Sequence, residues 1–114
     1  MRRGEIWLIN LDPSAGAEIR KTRPAVIVND DAVGILPLKV IVPITEWKDR
    51  YEVAPWLVRL EPDQDNGLDK VSAADAFQVR SVAQERFVRL IGRLSERLMR
   101  EIATALTIVL GISE

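Results

Sequence analysis

Arg20-Lys21-Thr22-Arg23-Pro24 is the densest run of positive charge in the chain, and it ends on a residue that fixes backbone geometry. Pro24 locks its own φ and biases Arg23 toward an extended conformation, so Arg23 is expected at the mouth of a strand. A planar guanidinium held there can fork onto a phosphate. The run closes a connection from Asp12 to Thr22 that is long for a strand-to-strand loop, and long loops are often functional. The same residues also fit a solvated basic turn with no ligand. Composition closes other chemistries. Without Cys there is no thiol nucleophile, thiolate metal site or disulfide, and without His the usual general base and every imidazole triad are missing. Asp63-Gln64-Asp65-Asn66-Gly67 looks like the start of a calcium loop, but its glycine comes one position early and Ala74 stands where the terminal Glu is needed. Asp30-Asp31 reads as a turn pair. Neither a metal nor a cofactor is expected.

The elements that must position this basic run are mostly strands. Glu5-Ile6-Trp7-Leu8-Ile9-Asn10-Leu11, Ala25-Val26-Ile27-Val28, Lys39-Val40-Ile41-Val42-Pro43-Ile44 and Trp56-Leu57-Val58-Arg59-Leu60 are short apolar segments bounded by turn formers. Their near-continuous apolarity predicts strands covered on both faces, or central in a small closed barrel. Asn66-Gly67 is a strong hairpin signal, Val71 to Val79 a weaker strand interrupted by a bulge, and Phe87-Val88-Arg89-Leu90-Ile91 a return strand after a helical turn near residues 82–86. Ser95 can cap a C-terminal amphipathic helix whose Leu98, Met99, Ile102, Ala105, Leu106, Val109 and Leu110 share one face, with Gly111 at its C-cap. The expected fold is mainly β with a C-terminal helix (α+β): a small, partly open β-barrel with the helix packed on it, filling residues 1–114 as one domain. Sixteen Lys and Arg against seventeen Asp and Glu leave a net charge of −1, so duplex DNA cannot be held by a global positive field. Any nucleic-acid contact must come from a local basic cluster. No apolar signal region precedes the first strand and no run approaches the roughly 18 apolar residues of a membrane span, which predicts a soluble, cytoplasmic protein.

Arg3-Gly4-Glu5-Ile6-Trp7-Leu8-Ile9-Asn10-Leu11-Asp12-Pro13, then Gly16-Ala17-Glu18, then Lys21-Thr22-Arg23-Pro24-Ala25-Val26-Ile27-Val28 closely resembles the MazF/PemK family of toxin endoribonucleases. The resemblance continues through Ile41-Val42-Pro43-Ile44-Thr45 and, more loosely, through Gly67-Leu68-Asp69-Lys70-Val71-Ser72 and Gln78-Val79-Arg80. It implies an SH3-like barrel that forms a homodimer, cuts single-stranded RNA such as mRNA at short sequences without a metal, and is held inactive by a cognate antitoxin. The family's key arginine falls on Arg23, its key threonine on Thr45 and its loop glutamate on Glu18. In that chemistry the ribose 2′-hydroxyl attacks the adjacent phosphate, leaving a 2′,3′-cyclic phosphate and a 5′-hydroxyl. Arg23 would stabilise the phosphate oxygens, Thr45 would donate a hydroxyl proton to one of them, and Glu18 would serve as base or partner. Arg20 and Lys21 would add cationic contacts. Trp47 and Tyr51 could stack on bases, and could equally pin their loop or line an antitoxin groove. Gln78 and Arg80 could contact RNA or lie on a solvated strand face. Thr45 and Glu18 also fit ordinary strand-end and loop residues. Trp7 reads as core or dimer interface. The competing reading is a non-catalytic toxin of the same barrel type that poisons a protein target such as a topoisomerase.

Overall fold

The apolar runs pair into a sheet covered on both faces, and the amphipathic tail supplies one of the two covers. The computed structural model describes residues 1–34 and 36–112. The strands are β1 (Glu5–Asn10), β2 (Thr22–Ile27), β3 (Leu38–Glu46), β4 (Leu57–Leu60), β5 (Ser72–Asp75), β6 (Arg80–Ala83) and β7 (Phe87–Arg93), followed by α1 (Glu96–Leu110). Short 3-10 turns lie at Asp49–Val53, Ala76–Gln78 and Gln84–Arg86. The pairings are antiparallel in the order β4-β5-β3-β2-β1-β7, with β6 beside the first half of β3. Among the described residues β4 and β7 each pair on one side, so the barrel-like sheet stays open.

Burial explains why the central strands carry no polar alternation. Val26, Val28, Val42 and Ile44 face a core shared with Leu98, Met99, Ile102 and Ala105 of α1. Ala25, Ile27 and Ile41 face a second core with Ile9, Leu11 and Val82, edged by Trp7, Ile19 and Phe87. Both faces are thus dry over Ala25–Ile27 of β2 and Ile41–Ile44 of β3, which requires apolar residues in succession. Trp7 packs edge-to-face on Phe87, ring centroids 5.6 Å apart, in the second core. The helix begins and ends as its sequence dictates. Ser95 Oγ accepts from the Leu98 N–H at 3.2 Å, and Gly111 takes the left-handed conformation at φ 67° that a glycine C-cap allows. Among the described residues no helix is long and apolar enough to cross a membrane.

Two sequence expectations are corrected. Asn66-Gly67 does not form a two-residue hairpin: β4 and β5 pair from Leu57↔Asp75 to Leu60↔Ser72, and residues 61–71 form a long loop between them. Asn66 is fully buried in that loop, its Oδ1 accepting from the Asp63 and Leu68 N–H groups at 3.2 and 3.0 Å and its Nδ2 donating to Glu61 O at 2.8 Å. Gly67 sits against β7 so closely that a Cβ would lie 2.5 Å from Ile91 O. Packing on β7 overrides the local turn preference. The Val71–Val79 segment is broken not by a bulge but by the Ala76–Gln78 turn, whose entry Asp75 caps by accepting from the Phe77 N–H at 3.1 Å.

Candidate functional site

Two prolines decide where the sheet opens. β2 and β3 pair at Ile27↔Ile41, Val26↔Val42 and Ala25↔Pro43, and the ladder stops there. The Val28 N–H donates to Val40 O at 2.9 Å and the Trp47 N–H to Val71 O at 3.0 Å, so even-numbered backbone groups of β3 face β2 and odd-numbered ones face β6 and β5. In an antiparallel ladder the next bond toward Ile44 needs an N–H at position 24, which Pro24 lacks. Pro43 turns its own missing N–H the other way. It lies between the β6 pairing that ends at Ile41↔Arg80 and the β5 pairing that begins at Ile44↔Ala74, so no ladder bond is lost.

Carried two residues further, the β2–β3 register sets Arg23 opposite Thr45 on the parting strands. A cleft of about 320 Å³ opens there, lined by Arg23, Thr45, Glu46, Lys48, Lys70 and Ser72 with Pro24 and Ile44 behind them. Three cations thus face one carboxylate, and Lys70 Nζ lies 3.5 Å from Glu46 Oε2. In a chain of net charge −1 this is a local positive site of the kind that holds a phosphate. Arg23 is exposed, its Nε donating to Arg20 O at 3.4 Å, and Thr45 is half-buried. Lys48, Lys70 and Ser72 were not singled out as site residues from the sequence: Lys48 follows Thr45 by three positions, while Lys70 and Ser72 reach it through the non-local β3–β5 pairing, with Glu46 opposite Ser72.

Beyond Thr45 the same sheet face continues through Ala73 to Arg59, which are cross-strand neighbours in turn. Arg59 places its guanidinium carbon 5.3 Å from the centre of the Trp47 ring, and Trp47 meets Tyr51 edge-to-face at 5.8 Å. Arg50 covers Tyr51 at 5.5 Å. Trp47 and Tyr51 are therefore ordered by each other and by two guanidinium groups, half-buried beside the cleft.

The Arg20 and Lys21 end of the β1–β2 loop is set by backbone geometry. Lys21 adopts φ 67°, unusual for a side-chain-bearing residue, and is held by its N–H donating to Asp12 Oδ1 at 3.0 Å and its carbonyl accepting from the Leu11 N–H at 2.9 Å. Glu18 is exposed and its Oε1 accepts from the Ala15 N–H at 2.6 Å. It lines a second cleft with Gln78 and Arg80, so the structure places it beside the Arg23–Thr45 cleft rather than in it. Gln78 and Arg80 hold this loop. Gln78 Oε1 accepts from the Ile19 N–H at 2.6 Å while its Nε2 donates to Ala17 O at 3.2 Å and Asp75 Oδ2 at 3.4 Å. Arg80 Nη1 donates to Leu11 O at 3.3 Å, and Arg86, which the sequence did not single out, donates to Asn10 O at 3.1 Å and to Asp12 O. Burial pushes the Asp75 carboxyl above its usual value despite the bonds it accepts from Phe77 and Gln78.

A family model described as a PemK-like, MazF-like toxin of type II toxin–antitoxin systems matches residues 2–110. Endoribonuclease MazF9 of Mycobacterium tuberculosis is 36% identical over 98% of this chain and 98% of its own length. Endoribonuclease PemK of Escherichia coli is 33% identical over 96% of this chain and 82% of its own. The fold superposes on a solved mycobacterial endoribonuclease in complex with its cognate antitoxin, with a TM-score of 0.79 at 21% identity, covering 100% of this chain and 98% of that one. Sequence relatives across nearly the whole length, and a shared fold, place the chain in one family. It belongs to the PemK-like, MazF-like toxins of type II toxin–antitoxin systems.

Proposed function

We propose that the protein is a metal-independent, sequence-specific endoribonuclease that cleaves single-stranded RNA, with mRNA as its target in the cytoplasm, and that a cognate antitoxin blocks it. The observation that carries this reading is the placement of Arg23 and Thr45 across from each other on strands that part at Pro24, in a cleft that also holds Lys48 and Lys70. The ribose 2′-oxygen forms a bond to phosphorus as the bond from phosphorus to the 5′-oxygen breaks. One proton leaves the 2′-hydroxyl and one reaches the departing oxygen. Arg23 stabilises the charge that gathers on the phosphate oxygens, and the Thr45 hydroxyl donates to one of them. The cationic and hydroxyl donors suit a phosphate directly, and Glu46, the one carboxylate of the cleft, is paired with Lys70. Glu18, on the adjoining loop, is the base or the group that orients Arg23. The relatives named as endoribonucleases support the reaction class, and the antitoxin complex of the structural neighbour supports the partner.

Val88 and Leu90 on β7 and Ile108, Leu110 and Ile112 at the end of α1 remain 48–61% exposed, which supports a homodimer that covers them. An acidic segment of the antitoxin would pair with Arg20, Lys21 and Arg23 and exclude RNA. End-group analysis tests the reaction. Single-stranded RNA cut in excess EDTA is expected to give fragments ending in 2′,3′-cyclic phosphate and 5′-hydroxyl. Intact RNA across varied substrates would overturn the reading in favour of a toxin that binds a protein target.

A further inference from the structure

The face of β3 that carries Thr45 also carries Pro43, and Pro43 lines a second cleft of about 500 Å³ with Glu18, Phe77, Gln78 and Arg80. Phe77 is 66% exposed. A large apolar ring forfeits burial when it stands in water, and one at the edge of a cleft offers its face to whatever occupies that cleft. Phe77 is rigid. Its N–H donates to Asp75 Oδ1 at 3.1 Å, and its ring meets Trp56 edge-to-face with centroids 6.0 Å apart and planes at 66°. Trp56 is tied to the same turn by the Ala76 N–H, which donates to Trp56 O at 3.0 Å. The same cleft is lined by Arg80, one of whose N–H groups is engaged by Leu11 O, and by Glu18, whose Oε1 accepts from the Ala15 N–H on a loop that Gln78 bonds.

An aromatic face bordered by a cation and a carboxylate is the chemistry that receives an unpaired nucleobase, which stacks on the ring and hydrogen-bonds through its edge. Pro43 and Thr45 are two residues apart on one extended strand, about 7 Å, so an RNA phosphate between Arg23 and Thr45 has its neighbouring nucleotide within reach of Phe77. We propose that Phe77, backed by Trp56, is the stacking platform for the base next to the scissile phosphate and sets part of the cleavage preference. The proposal rests on the ribonuclease reading above.

A cycle between protein and substrate tests it. The parent, Phe77→Ala, Phe77→Leu and Phe77→Tyr proteins would be assayed on an oligoribonucleotide with one mapped cut, intact or abasic at each nucleotide flanking that cut. Losing one stacked base predicts a fall in kcat/KM of about 5- to 150-fold for Phe77→Ala and Phe77→Leu, carried mainly by KM, while Phe77→Tyr stays near the parent. An abasic nucleotide at one flanking position should cost the parent a similar factor and cost Phe77→Ala little more. Losses that simply multiply at both flanking positions would overturn the proposal. Unchanged RNA kinetics with weakened binding of the cognate antitoxin would assign the ring to a protein partner and overturn it equally. A parent that cuts no RNA would overturn the ribonuclease reading itself, so the two failures are told apart. Leucine keeps apolar bulk against Trp56, and thermal melts equal to the parent's show that the variants fold.

Discussion

In the proposed reaction Arg23 serves through its charge and the planar fork of its guanidinium. Arg23→Lys is therefore expected to rescue poorly, since a point charge cannot reproduce a planar fork, whereas Thr45→Ser should keep part of the activity by retaining the hydroxyl. Steady-state cleavage rates check both. Glu18→Gln separates its two roles: the pH profile of kcat changes if the carboxylate takes the proton, and keeps its shape if it only orients Arg23. Lys48 and Lys70 line the same cleft and would act there through charge. Each one that neutralises a phosphate should contribute about 0.7 to the slope of log affinity against log salt, so Lys48→Ala and Lys70→Ala should each flatten that slope when oligonucleotide binding is titrated. Arg23 was legible in the sequence because its signal is local, an arginine fixed by the proline that follows it. The two lysines were not legible, because Lys70 reaches the cleft only through the register of β3 on β5. Thr45 became visible through family resemblance, as a threonine ending an apolar strand has many ordinary uses.

The loop from β1 to β2 is tied to the sheet, since Gln78, Arg80 and Arg86 bond its backbone. Its length was legible and its anchoring was not, because those three side chains come from elements that the sequence described only weakly. The capped helix was readable in detail, since Ser95 and Gly111 act on their own neighbouring backbone. The Asn66-Gly67 signal misled for the opposite reason: contact with Ile91 and Gly92 decides that loop. Two carboxylates at element ends predict opposite pH effects on stability. Asp75 has its value raised, mainly by burial, so its contribution is complete below the ordinary 3.8 and is lost as pH rises through the raised folded value. Asp75→Asn keeps an acceptor for the Phe77 N–H but loses the one that takes the Gln78 amide, so its melt relative to the parent's should improve as pH rises from acid to neutral. For Glu5, burial raises the value, but the Arg2 N–H, the Trp7 indole N–H, the N-terminal ammonium and Arg93 together outweigh it and leave the carboxyl below 4.5. Its contribution is present above 4.5 and lost as pH falls through the lowered folded value. Glu5→Gln should accordingly melt lower than the parent at neutral pH and approach it in acid. A thermal melt series over pH checks both signs.

At the scale of the molecule, an almost neutral chain gathers cations where two strands part, so the proposed attraction for RNA should be local and fall with salt. The layered architecture was legible because dry strands and an amphipathic helix demand it, while the opening of the sheet depends on which proline N–H is missing from which ladder. Exposed apolar side chains on β7 and at the end of α1 predict self-association, and sedimentation at micromolar concentration should show a dimer. A monomer there would leave those faces to another partner. The central claim is that the parting of β2 and β3 at Arg23 and Thr45 is where RNA is cut. It is tested most directly by mapping and timing cleavage of a long single-stranded RNA in excess EDTA by the parent, Arg23→Ala and Thr45→Val proteins, with melts run alongside. Discrete 5′-hydroxyl fragments are expected from the parent, with a rate about 100- to 1,000-fold lower for Arg23→Ala and a clear loss for Thr45→Val, all with melts close to the parent's. Parental rates from both folded variants would contradict that claim.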